Sequence, residues 1–102
     1  MISPSKLPRF VRIGGETFTI RVEPMDDWGK CQWDKRLITI APAALANIAV
    51  LRSTLFHEMT HAAFMVSGLA WAEKFDEEPI VRALEHLLFG AWESIEPKLR
   101  KL

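Results

Sequence analysis

The stretch His57-Glu58-Met59-Thr60-His61 combines residue types and a spacing that can do chemistry. Side chains four apart on a helix share one face. Two imidazoles so placed can take two tetrahedral positions on Zn²⁺, each at about 2.0–2.1 Å. Glu58 is rotated about 100° from His57 around the helix axis, so it does not compete for the metal. It can instead reach a water there, whose pKa zinc lowers to about 7. The carboxylate would take the proton as that water attacks a carbonyl, then hand it to a leaving amine. The expected cofactor is one Zn²⁺ per chain.

Five such residues also arise by chance on helices. The bland alternative is one exposed histidine, one buried and satisfied histidine, and a solvated glutamate. The context argues against it. Thr54-Leu55-Phe56 precedes the pattern and Ala62-Ala63-Phe64 follows it, so both imidazoles lie at or near an apolar core. A buried imidazole needs a polar partner, and a metal supplies one.

A catalytic zinc takes a third protein ligand and keeps one position open. The downstream candidates are Glu73, Asp76, Glu77, Glu78 and His86. His86 lies eight residues past Glu78, about 12 Å along a helix, so the two cannot share one metal. As plain structure, Glu77 and Glu78 would stabilise a helix start, and His86 would be a polar residue on the outer face beside Glu85.

Leu51 to Ala62, followed by Glu77-Glu78-Pro79-Ile80-Val81-Arg82-Ala83-Leu84, resembles the gluzincin metallopeptidases. The closer likeness is to their minimal members, the minigluzincins and similar small phage-type HExxH proteins. The resemblance implies an α+β zincin-like domain. It would hold a short antiparallel or mixed sheet, an active-site helix, and a C-terminal helix that donates a glutamate to the zinc. The ligand it implies is Glu78, three residues before Val81, giving His57, His61 and Glu78 as metal ligands and Glu58 as the catalytic base. It also implies that an extended peptide substrate adds to an edge strand of the sheet, for which Arg36 to Ala41 is the expected strand.

The sequence departs from that pattern twice. Pro79 biases Glu78 away from helical geometry, which leaves Glu77 open as the ligand. The chain has no tyrosine, so the usual oxyanion partner is missing, and Arg82 and His86 are what remain for that task. The expected function is zinc-dependent amide hydrolysis of the endopeptidase type. The alternative is a zinc-binding module without turnover that acts through protein contacts, or one made latent by its C-terminal tail.

Two kinds of element must position these residues. Up to about Ala41 the chain reads as strands. Phe10 to Ile13 and Thr17 to Val22 flank Gly14-Gly15, a hairpin signal. Phe18, Ile20 and Val22 alternate with polar residues, as in a half-buried strand. Lys30 to Trp33 and Arg36 to Ala41 form a second hairpin around Asp34-Lys35, ended by Pro42. From Ala43 the period becomes helical. Val50, Thr54, His57, His61 and Phe64 make one stripe, and Leu51, Leu55, Met59, Ala62 and Val66 another, with Gly68 as the stop. Asp76-Glu77-Glu78-Pro79 opens the next helix. Ile80, Val81, Leu84, Leu87, Leu88, Ala91, Trp92 and Ile95 give it an apolar face, and Pro97 ends it before a basic tail from Lys98 to Leu102.

The 102 residues suit a single domain, 1–102, with one small core, in which the four tryptophans are read as packing residues. Thirteen basic residues balance thirteen acidic ones, which gives no electrostatic pull toward nucleic acid or an anionic membrane. No apolar run approaches the roughly 20 residues that span a bilayer, and a cytoplasmic location is expected. Cys31 is alone, so no internal disulfide is available, and it reads as a small half-buried side chain.

Overall fold

The computed structural model describes residues 1–71 and 76–101. Four strands form one sheet: β1 (Phe10–Ile13), β2 (Glu16–Val22), β3 (Gly29–Gln32) and β4 (Leu37–Ile40). β1 and β2 pair antiparallel across Gly14-Gly15, whose φ angles of 59° and 87° both lie in the left-handed region that a tight hairpin turn requires. β3 and β4 form the second hairpin, with Cys31 opposite Ile38. β2 then pairs parallel with β4, Ile20 opposite Ile38, so the order is β1-β2-β4-β3 and the sheet is mixed. The fold class is therefore α+β.

This order corrects the edge-strand expectation. The strand before the helix, β4, is interior, and all four of its residues are buried. A free edge instead belongs to β3. The cause is the hairpin: once β4 docks beside β2, β3 can pair only with the outer side of β4.

Helix α1 (Ile48–Ser67) crosses the sheet. The Asn47 side chain accepts from the Val50 N–H at 2.9 Å and caps its start, and Gly68 at φ 86° closes its end. Its buried line is Leu51, Thr54, Glu58 and Ala62. The core gathers Phe18, Ile38, Ile40, Ala44 and Leu45 beneath this line.

The second helical stretch begins at Glu77, as the acidic start predicts. α2 (Glu77–Ala83) passes into a π-helical turn, Leu84–Phe89, and on into α3 (Gly90–Leu99), with helical backbone at both junctions. Phe89 stacks on Phe56 at 4.4 Å between ring centroids, and Arg52 pairs with Glu93 at 2.7 Å, which fastens this rod to α1. Pro97 does not end it. Proline forfeits its own N–H, but Arg100 N–H still reaches the Glu96 carbonyl at 3.1 Å, so Lys98 and Leu99 stay helical.

The apolar face predicted for the rod is covered only near its start. Val81 is fully buried, whereas Leu87 and Leu88 in the π-helical turn and Trp92 and Ile95 in α3 are exposed. The tryptophans are corrected in the same way. Trp28, Trp71 and Trp92 are all at least half exposed, and only Trp33 packs inward, against Phe18, with the Arg36 guanidinium 3.5 Å over its ring. No helix among the described residues is long and apolar enough to cross a membrane.

Candidate metal centre

α1 carries His57 and His61 one turn apart on the face turned toward α2, and Glu58 on the face turned toward the sheet. The two Nε2 atoms lie 3.3 Å apart. The Glu78 carboxylate bridges them, with Oε1 at 2.9 Å from His57 Nε2 and Oε2 at 3.1 Å from His61 Nε2. Two ligand atoms at about 2.0–2.1 Å from one zinc, at the tetrahedral angle, are separated by roughly 3.3–3.4 Å. The Nε2–Nε2 spacing matches one edge of such a tetrahedron, and the Glu78 carboxylate reaches one nitrogen with each oxygen. Two imidazoles and one carboxylate are also a catalytic type of zinc donor set, and the residues present fit the ion.

His57, His61 and Glu78 are the group that can hold a metal among the described residues, their ligand atoms all within 4.8 Å of one another. The residues named from the sequence thus come together. Pro79 does not displace Glu78, because it falls within the first turn of α2, where an N–H has no helical partner to lose. Glu77 takes a different place, against His61 Nδ1. His86 stands on the cleft wall outside the metal group, Asp76 is the N-cap residue of α2, and Glu73 lies outside the described residues.

Glu85 is the contact the sequence reading overlooks. Its place next to His86 suggests an outer face, yet its Oε2 lies 2.6 Å from His57 Nδ1 and its side chain is largely buried. The signal was its spacing. Glu85 follows Glu78 by seven residues, two helical turns, and so shares its face.

The cleft around the group holds about 750 Å³. β3 lines it with Gly29, Lys30 and Cys31, next to Trp28, and Arg82 and His86 line it as well. Gly29 matters for its closeness: a Cβ there would lie 3.0 Å from the Thr39 carbonyl oxygen, 3.1 Å from Thr54 Cγ2 and 3.2 Å from Glu58 Cγ.

Burial pushes the Glu58 carboxyl above its ordinary range. The neighbouring His57 and His61 pull it back only in part, and Glu78 and Asp27 push it further up. For His57, burial favours the neutral ring, but the hydrogen bond to Glu85 and the negative field of Glu58, Glu85 and Glu78 outweigh that, and the net shift is upward. The Cys31 thiol is raised to about 12, by burial first and then by Glu58 and Glu77, which makes it inert as a nucleophile.

Compared with known proteins, the chain matches no family model, no curated sequence and no solved structure.

Proposed function

We propose that this protein is a zinc-dependent metallopeptidase of the minimal gluzincin kind, hydrolysing amide bonds with Glu58 as general base. The observation that carries the reading is the convergence of His57 Nε2, His61 Nε2 and the Glu78 carboxylate within an open cleft that Glu58 also lines. A bound zinc would polarise the scissile carbonyl and acidify a water at the remaining position.

Glu58 takes the proton of the attacking water and delivers it to the amine nitrogen as the C–N bond breaks. The outer edge of β3 borders the cleft at Gly29, Lys30 and Cys31 and offers backbone groups to an extended peptide. Arg82 and His86 face the same cleft and are the donors at hand for a developing oxyanion in a chain without tyrosine.

Replacing Glu58 by Gln should leave one zinc per chain and lower peptide cleavage by roughly 10²–10⁴-fold. Metal analysis and a fluorogenic peptide set read the two effects separately. Cleavage by the Gln variant at the wild-type rate contradicts the mechanism. The missing tyrosine favours a second reading, zinc binding without turnover, under which the wild type binds zinc and cleaves no peptide in the set.

A further inference from the structure

We propose that Glu85 and Glu77 are positioning residues that fix the tautomer and ring orientation of the two histidines, so that both present a bare Nε2 to the metal. The inference rests on the metal site proposed above. Each imidazole has two sides. On the Nε2 side both meet Glu78, and on the Nδ1 side each has a carboxylate of its own: Glu85 for His57 at 2.6 Å, and Glu77 for His61 in a short contact. A carboxylate can only accept, so once the metal takes Nε2, which otherwise faces Glu78, each ring keeps its one proton on Nδ1 and donates it to its own glutamate. A ring turned over about its Cβ–Cγ bond would lose that bond.

These two carboxylates differ from surface partners. Their side chains are 18% and 21% exposed, against 42% for Glu78, so water competes less for them than for the ligand itself. The helix carries the arrangement. Glu78 and Glu85 lie on one face about 10 Å apart along the axis, and the His57 ring spans the gap between them. Glu77, the neighbour of Glu78, points to the far side of His61. One stretch from Glu77 to Glu85 therefore supplies both the third ligand and the two orienting groups.

The test uses the full-length protein and zinc itself, titrated against a chromophoric chelator, with the histidine tautomers read by long-range ¹H–¹⁵N spectra of the zinc-loaded form. Glu85→Ala and Glu77→Ala should each weaken zinc binding by about 10–100-fold. Glu85→Gln, whose amide oxygen still accepts from Nδ1–H, should recover most of the loss. Wild-type spectra should show the proton on Nδ1 of both rings, and Glu85→Ala should lose that pattern at His57 alone. Wild-type affinity in both Ala variants, or an equal loss in Glu85→Ala and Glu85→Gln, overturns the inference. Zinc bound at wild-type affinity by His57→Ala and His61→Ala would instead remove the metal site on which it stands. A melting curve of each zinc-free variant identifies any that lost binding by losing the fold.

Discussion

Gly29→Ala tests whether the sheet holds Glu58, the proposed base, in place. The added Cβ meets Thr39 O at 3.0 Å, Thr54 Cγ2 at 3.1 Å and Glu58 Cγ at 3.2 Å. The first contact cannot relax, because β4 is pinned between β2 and β3. The helix side must give by a few tenths of an ångström, and what moves is the stem of Glu58. Overpacking of this kind costs about 1–3 kcal/mol, and removing a strand glycine returns roughly 0.5–1 kcal/mol. The difference spans about 0–2.5 kcal/mol and centres on a net loss of about 1 kcal/mol, a drop in Tm of roughly 4–8 °C for a domain of this size. A displacement of about 1 Å can cost a hundredfold in rate, so a shift of a few tenths should cost about 3–10-fold in kcat. Zinc affinity should change little, since His57, His61 and Glu78 are not among the groups the new methyl meets. Calorimetry, chelator titration and peptide turnover measure the three effects. A variant with wild-type Tm and kcat would refute the claim that β3 positions Glu58.

Two further outcomes concern the zinc-free protein. With its pKa at about 12 rather than 9.0, Cys31 carries roughly a thousandfold less thiolate, and iodoacetamide should label it about a thousandfold more slowly than the unfolded chain; labelling at the unfolded rate would show the thiol is not shielded. Glu58 holds its proton more tightly folded than unfolded, so it takes stability away as pH climbs from its unfolded value through its raised folded one. Glu58→Gln should therefore melt above wild type at pH 7, with the difference gone below about pH 4, where the carboxyl is protonated in both states; a variant that melts lower at pH 7 refutes that sign.

The sequence by itself determined the local features. Gly14-Gly15 makes its hairpin, Gly68 stops α1, the acidic run opens α2, and the four-residue spacing puts His57 and His61 on one face. Each depends on dihedral preference or helical period, which act over a few residues. The tertiary structure alone decided which strand lies at the edge, because strand order depends on where a hairpin docks and not on its alternation. It left Trp28, Trp71 and Trp92 exposed, because burial depends on which elements pack over a residue and not on its own hydrophobicity. It also set three carboxylates of one helical stretch against different ring nitrogens. Glu77, Glu78 and Glu85 have the same chemistry in sequence, and only the placement of α2 against α1 sets which oxygen meets Nε2 and which meets Nδ1.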